Sequence, residues 1–327
     1  MGGTIASTNT DRGGEEGGVT PTLDAGQLIR DVPGLSEIAQ LEAVTFRQLP
    51  SGDLVLADLI TLATEITDRF NAGATAGVVI TQGTDTIEET SFALDLLVPD
   101  VRPVVVTGAM RNPTLAGPDG PANLLAAVQV AMSREATGLG TLVVFNDEIH
   151  AARFVRKTHT SNPATFHSPS AGPLGWIVEG RPRIAFRPCA LEGIPLVGNE
   201  VPAVGLLRVT LGDDGRMIER IEALGFAGLV LEGLGGGHVP ARMAPLLGNL
   251  ATRMPVVLAS RTGGGEILRE SYGFAGSERD LLSRGLISAG VLDGLKARIL
   301  LSLVLHADSD LEAVRQRFEK VNRSVCY

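Results

Sequence analysis

Ala76–Thr90 reads AGVVITQGTDTIEET, and its two halves ask for different backbones. Ala76–Thr81 is charge-free and β-branched, the composition of a strand buried on both faces. Gly83 allows a tight turn, and Asp85 to Leu97 then runs at helical period, opening on Asp85-x-x-Glu88, a helix-start signature. The same strand grammar returns in Pro103–Thr107 (PVVVT), Thr141–Phe145 (TLVVF), Val204–Arg208 (VGLLR), Ala227–Leu231 (AGLVL) and Pro255–Ser260 (PVVLAS). Helix-period stretches at Leu54–Phe70, Asn123–Met132, Val239–Arg253 and Val291–His306 alternate with them. Strands alternating with helices predict right-handed βαβ units and open α/β sheets.

A chain of 327 residues is too long for one ordinary core and suits two α/β domains. Arg187–Val201 (RPCALEGIPLVGNEV) has no clear period and carries two prolines and two glycines. It divides the chain into a larger amino-terminal domain, 1–186, a linker, 187–201, and a smaller carboxyl-terminal domain, 202–327. The glycine-rich stretch Asp11–Val19 (DRGGEEGGV) predicts a mobile loop, with a lid as its functional reading.

Composition removes whole classes of function. One Trp, two Tyr and ten Phe leave little for nucleic-acid stacking platforms, and a net charge of −9 opposes binding to a phosphate backbone. Cys189 and Cys326 stand far apart without ligand spacing, which excludes a disulfide scaffold and a zinc ribbon. No apolar run reaches the ~18 residues of a membrane span. The opening Met-Gly-Gly-Thr lacks a basic n-region and an apolar h-region. These features predict a soluble, cytoplasmic protein that binds neither nucleic acid nor membrane.

Of 28 basic residues only Lys157, Lys296 and Lys320 are lysine. Lysine can act as a base once desolvated, and arginine cannot. Lys296 and Lys320 lie in arginine-flanked helical stretches and read as solvated charges. Lys157, in Arg156-Lys157-Thr158-His159-Thr160, follows a strand. In open α/β sheets ligands collect beyond the carboxyl ends of strands, which draws attention to Thr84 and Asp85 at the mouth of their helix. Backbone N–H groups there favour an anionic ligand, while the plain alternative is that the two residues cap the helix. Gly2-Gly3-Thr4-Ile5-Ala6 is a second glycine-to-threonine turn, and Leu49-Pro50-Ser51-Gly52-Asp53 a third polar turn. A threonine hydroxyl needs a nearby base to become a nucleophile, and a desolvated lysine beside a carboxylate can serve. Thr, Lys and Asp thus make a hydrolytic constellation that needs no metal. Two other patterns are weak. Gly233–His238 lacks the last glycine of a dinucleotide loop, and Asp147-Glu148-Ile149-His150 has no partner cluster and reads as a surface loop.

In these residues the sequence resembles the bacterial-type L-asparaginases, two-domain amidohydrolases with a threonine nucleophile. Gly2–Ala6 (GGTIA) is similar to their first active-site motif and Thr81–Glu89 (TQGTDTIEE) to their second. Gly108–Arg111, Asp119–Pro121, Val144–Asp147, Lys157–Thr160, Ala164–Phe166 and Gly172–Gly175 follow in the family's order, so the resemblance spans essentially the whole chain. It implies Thr4 as the nucleophile, with Thr84, Lys157 and Asp85 as a polar triad in which Lys157 takes the Thr84 proton. It implies a substrate pocket of Ser51, Gly52, Gly83, Thr84 and Asp85. Ser51 holds the substrate's α-carboxylate and Asp85 its α-amino group. Glu278 is implied as a carboxylate contributed by a neighbouring subunit of a homodimer or homotetramer with shared sites.

The implied reaction, without metal or cofactor, is hydrolysis of the side-chain amide of asparagine to aspartate and ammonia. The alternatives are acceptance of glutamine or D-asparagine, an ammonia-supplying amidotransferase subunit, and an inactive amino-acid-binding relative. Four departures from the family pattern stand out. No tyrosine occupies the amino-terminal lid, Gly52 replaces an amide or acid, His238 replaces an asparagine, and the strand before GGTIA is missing. Because three residues cannot make a strand of the usual ~5–6, the expectation is that roughly 5–10 upstream residues belong to the natural protein.

Overall fold

The charge-free runs become strands because their side chains leave few polar atoms to satisfy, so both faces can be covered; the buried Thr107 hydroxyl donates to the Val144 carbonyl. The computed structural model describes residues 1, 4–9, 19–21, 23–195, 197–198, 200–308 and 310–323. It divides the chain into two units, Met1–Gly193 and Ile194–Tyr327.

The first unit opens with a 3-10 turn, Thr4–Ala6, followed by β1 (Ser7–Asn9), β2 (Val19–Pro21), α1 (Ala25–Arg30) and α2 (Leu35–Ile38). There follow α3 (Leu56–Asn71), β3 (Val78–Thr81), α4 (Ile87–Leu97), β4 (Val104–Thr107), α5 (Gly120–Ala131), β5 (Thr141–Phe145) and β6 (Glu148–Ala151). The two-residue strands β7 (Arg156–Lys157) and β8 (Phe166–His167) precede β9 (Gly175–Val178) and β10 (Arg181–Ile184). The main sheet runs β10-β9-β6-β5-β4-β3. β3, β4 and β5 are parallel, and β6, β9 and β10 extend them antiparallel.

The turn between β5 and β6 explains the change of direction. Asn146 and Asp147 have φ of 51° and 61°, the left-handed pair that a two-residue hairpin needs and that Asn and Asp tolerate. Asp147–His150 is therefore not a surface loop: it is the hairpin and the start of β6, with His150 fully buried. Among the described residues β7 and β8 pair only with each other, as a ribbon outside the main sheet.

Helix α4 is buried nearly all round, through Ile87, Phe92, Leu94, Leu96 and Leu97 and also through Glu88 and Asp95, whose carboxylates face Arg156 and Arg153. Helix α3 buries one stripe, Leu59, Ile60, Ala63, Ile66 and Phe70, and each large apolar side chain there contributes about 1.5–3 kcal/mol. A smaller cluster joins Ile5 and Ala6 to Leu28, Val32, Leu35, Ala109 and Leu124. It pins the Thr4–Ala6 turn against α1, α2 and α5. The Met1 nitrogen donates to the Thr81 carbonyl at the end of β3, which is the edge strand of the sheet among the described residues.

The second unit comprises β11 (Val204–Arg208), β12 (Gly228–Gly233), α6 (Ala244–Ala251), β13 (Val256–Ser260), α7 (Glu278–Ser283), β14 (Ile287–Ser288), α8 (Gly294–Ala307) and α9 (Leu311–Arg323). Its sheet, β11-β12-β13-β14, is parallel throughout. Lys296 corrects the reading of a solvated charge. It is fully buried on α8, and its Nζ lies 2.9 Å from Asp293, the residue that also caps the helix. Cys189 is disulfide-bonded, so one cross-link exists that cysteine spacing did not announce. Cys326, the chain's other cysteine, lies outside the described residues, as do Asp11–Gly18 of the expected lid. Among the described residues no helix is long and apolar enough to cross a membrane.

Candidate active site

The turn after β3 is shaped by what it must avoid. A side chain at Gly83 would meet Ser51 Oγ at 2.7 Å, and one at Gly108 would meet the Gln82 carbonyl at 2.6 Å. The two glycines let the Ser51–Asp53 turn and the loop after β4 close on Gln82–Thr86. Side chains then fasten the contact: Thr86 Oγ1 donates to the Ser51 carbonyl at 3.1 Å, and Gln82 Nε2 to Thr86 Oγ1 at 3.3 Å. Ser51 is buried at this junction. Gly52 beside it is exposed, with open space where a side chain would go.

Thr84–Thr86 form a 3-10 turn, and α4 begins only at Ile87 with no side-chain cap. The helix-start reading of Asp85-x-x-Glu88 thus fails at the atomic level. Asp85 instead accepts from Lys157 Nζ at 2.6 Å, while Nζ also donates to Thr84 Oγ1 at 2.8 Å. Thr84 is buried, the Lys157 side chain is 15% exposed and that of Asp85 78%. The amine therefore sits inside and its carboxylate at the rim. Beside it, Arg156 Nε lies 3.9 Å from Glu88 of α4, so two successive residues of β7 face acids at the amino end of one helix.

The loops after β4 and β5 are tied by a network that pattern reading missed. The Asp119 carboxylate accepts from the backbone of Met110 and Arg111 and from Asn123 Nδ2. Asn123 in turn donates to the Gly108 carbonyl and accepts from Asn146 N–H, both at 3.0 Å. Three of the quoted motifs, Gly108–Arg111, Asp119–Pro121 and Val144–Asp147, meet here. Their signal in the sequence was order alone, since none has a recognisable spacing.

Of the expected site residues, Ser51, Gly52, Gly83, Thr84, Asp85 and Lys157 come together. The backbone of Thr4 lies between Met1, held at the end of β3, and Ile5, packed at Ala109 and Gly120 beyond β4. Glu278 belongs to the second unit. Its carboxylate is fully buried, accepts from Tyr272 N–H at 2.7 Å, and lies 3.2 Å from His238 Nε2. Burial alone would raise its pKa, but the amides of Tyr272, Glu278 and Ser271 and the His238 charge together hold it below the usual range. The His238 ring meets Tyr272 and Phe274 edge-on, at 4.8 and 5.2 Å between centroids. Among the described residues no three His, Cys, Asp or Glu side chains cluster as metal ligands.

A family model described as Asparaginase, N-terminal matches residues 1–189, and one described as Glutaminase/Asparaginase C-terminal domain matches residues 203–318. The chain belongs to the asparaginase family. It is 35% identical to an L-asparaginase of Bacillus licheniformis, over 97% of this chain and 96% of that one. Identity to a probable L-asparaginase of Deinococcus radiodurans is 38%, over 97% and 94%. A solved structure, a probable cytoplasmic L-asparaginase from Campylobacter jejuni, superposes with a TM-score of 0.87 at 33% identity, over 98% of this chain and 97% of that chain. As a member of this family the protein is an amidohydrolase with the two-domain asparaginase fold.

Proposed function

We propose that this asparaginase-family enzyme hydrolyses L-asparagine to L-aspartate and ammonia through an acyl-enzyme on Thr4. The observation that carries the reading is the Lys157 amine, held between a buried Thr84 hydroxyl and the rim carboxylate of Asp85. Thr4 Oγ attacks the side-chain amide carbon, the C–N bond breaks, and the nitrogen leaves as ammonia with the transferred proton. Water then attacks the ester, its proton passing through Thr84 to Lys157, which must be neutral to accept it; the acyl C–O bond breaks, and that proton returns to the departing Thr4 oxygen. Asp85 receives the substrate's α-amino group at the rim, and Ser51 with Gly83 receives the α-carboxylate. Backbone N–H groups at the two glycine-threonine turns are the oxyanion donors.

The open space at Gly52 favours a second substrate, since a longer or inverted amino acid needs room there. Glutamine or D-asparagine is that second reading. Ammonia release from L-Asn, D-Asn and L-Gln, measured beside L-Asp binding, tests both. Binding of L-Asp without turnover of any amide would overturn the catalytic reading in favour of an inactive relative.

We further assign shared active sites in a homodimer or homotetramer, with Glu278 acting on the neighbouring subunit. The cytoplasmic location carries a condition of its own. Cytosolic thiols are kept reduced, so the Cys189 bridge would stand open there. Fractionation combined with thiol trapping in intact cells decides it, and an oxidised Cys189 in an extracytoplasmic fraction refutes the cytoplasm.

A further inference from the structure

Lys157 acts from an unusual platform. β7 and β8 form a two-residue ribbon, Lys157 opposite Phe166, and a ribbon this short cannot hold its own shape in water. Backbone bonds flank it, from Val155 to Ala151 and from Thr158 to Thr165, and side chains supply further anchors. At one end Lys157 meets Thr84 and Asp85. Phe166 packs on Phe145 of β5, with ring centroids 4.7 Å apart. Just beyond β8, Ser168 Oγ lies 3.0 Å from Nδ1 of His150 on β6, and both residues are buried.

A third residue biases the tautomer. Glu148 Oε2 lies 3.2 Å from His150 Nε2, close enough for electrostatic attraction but outside hydrogen-bond geometry. An ionised carboxylate only accepts, so it favours the imidazole hydrogen on Nε2. Nδ1 is then an acceptor, and the Ser168 hydroxyl donates to it. The order Glu148–His150–Ser168 runs from the main sheet to the ribbon. It has the members of a serine-hydrolase triad, but a serine this buried offers a substrate nothing to reach, so its role is mechanical.

We propose that His150 and Ser168 are positioning residues for the hydrolysis: their hydrogen bond latches the β7–β8 ribbon to β6 and thereby sets the reach of the Lys157 amine to Thr84. This inference rests on Lys157 being the proton acceptor of the proposed reaction. Glu148 from the same strand and His167 from β8 are the other titratable groups facing the imidazole. Burial, helped by His167, pushes His150 down to about 4, so it remains a neutral acceptor wherever the enzyme is assayed near neutrality.

The test compares Ser168→Ala and His150→Leu, which remove the donor or the acceptor, with His150→Asn, whose Oδ1 stands near the place of Nδ1. The first two should lower kcat for L-asparagine about tenfold with KM little changed, since a sub-ångström misplacement of a catalytic group is enough. The acid limb of the kcat–pH profile should move by at least ~0.5 unit, and His150→Asn should recover most of the rate. An amine-labelling reagent read by mass spectrometry supplies a readout independent of activity. Labelling of Lys157 relative to exposed Lys320 should rise in the latch-breaking variants and stay low in His150→Asn. If wild-type protein releases no ammonia, the functional reading falls while the labelling still judges the latch. Unchanged kcat, an unmoved limb and unchanged Lys157 labelling in folded Ser168→Ala or His150→Leu would overturn the proposal.

Discussion

The two units each bury a lysine against an aspartate, and the contrast between the pairs separates chemistry from architecture. Lys296 sits on α8 with its side chain fully covered, and its partner Asp293 is three residues away on the same helix and only 9% exposed. Helix geometry brings such a pair together without help from the fold. Lys157 reaches across 72 residues to an aspartate that is 78% exposed, and shares its amine with a threonine hydroxyl on the same turn. The first pair is locked, because no ligand can approach either charge. The second is presented, with one partner at the rim and a second that can exchange a proton. Scarcity of lysine therefore does not mark function here; a remote, accessible partner does.

The widest separation between the two should come from deleting each amine. Lys157→Met and Thr4→Ala are expected to lower ammonia release by roughly three to four orders of magnitude while the protein stays folded. Thr4→Ala should still bind aspartate, as only the attacking oxygen is lost. Lys296→Met should do the opposite. It strands a buried carboxylate and costs about 3 kcal/mol of stability, while kcat per folded molecule holds. Activity assays beside denaturant melts check both, and a catalytic loss at Lys296 without unfolding would break the distinction.

Much of this was legible beforehand, for a specific reason. The six runs, five of them charge-free and VGLLR charged only at Arg208, map onto β3, β4, β5, β11, β12 and β13, because a strand covered on both faces is mostly apolar. β6 was illegible because its core position is held by a histidine that stays neutral and hydrogen-bonded to Ser168, so the residue type misreports the environment. Lys296 failed in the same way. β9 was obscured by its exposed Trp176 and Val178, which face Arg183 and Arg181 across the pair with β10. The Thr84–Asp85–Lys157 meeting lies beyond any local pattern, since its partners are more than seventy residues apart; residue chemistry suggested Thr, Lys and Asp as a set, and the ordered motifs of a family resemblance joined them. Asp85-x-x-Glu88 misled because the same residue types that cap helices were engaged by β7 instead.

Acid sharpens the comparison further, since locked groups should govern stability rather than turnover. His150 has its pKa lowered from 6.5 to about 4 by burial. Between these values the unfolded chain binds more protons than the folded one, so stability rises with pH across the window and is complete above it. Acidification from pH 6.5 to 4 should therefore remove on the order of 3 kcal/mol through this group. Urea melts across that range should show a smaller loss for folded His150→Asn than for wild type. An equal loss would mean that other groups dominate the acid limb.

The proposed contribution of the second unit can be measured by mixing subunits. Thr4→Ala and Glu278→Ala are each expected to be inactive. In a dimer with shared sites, random exchange of equal amounts should restore about a quarter of wild-type activity, because half the dimers are mixed and each of those holds one intact site. Verified exchange with no recovery would confine Glu278 to a structural part, as its burial beside His238 and Tyr272 already suits.

The smallest effect concerns the open side of the presented pair. Asp85 is the rim partner of Lys157 and the proposed receptor of the substrate's α-amino group, so the amine has few other contacts nearby. Gly52, in the Ser51–Asp53 turn, is exposed and has open space where a side chain would go. Gly52→Gln should add a side-chain carbonyl that accepts from the ammonium, at little structural cost. One added hydrogen bond to a charged group contributes about 1.5 kcal/mol at most in such a wet site, which predicts a KM for L-asparagine lower by up to about tenfold with kcat nearly unchanged. The same side chain narrows the space that favours a longer substrate, so KM for L-glutamine should fall less or rise. A parallel fall for both amides would show that the new carbonyl binds the amine without closing the pocket. No change for either would place the amine elsewhere, with His238 the next residue to substitute.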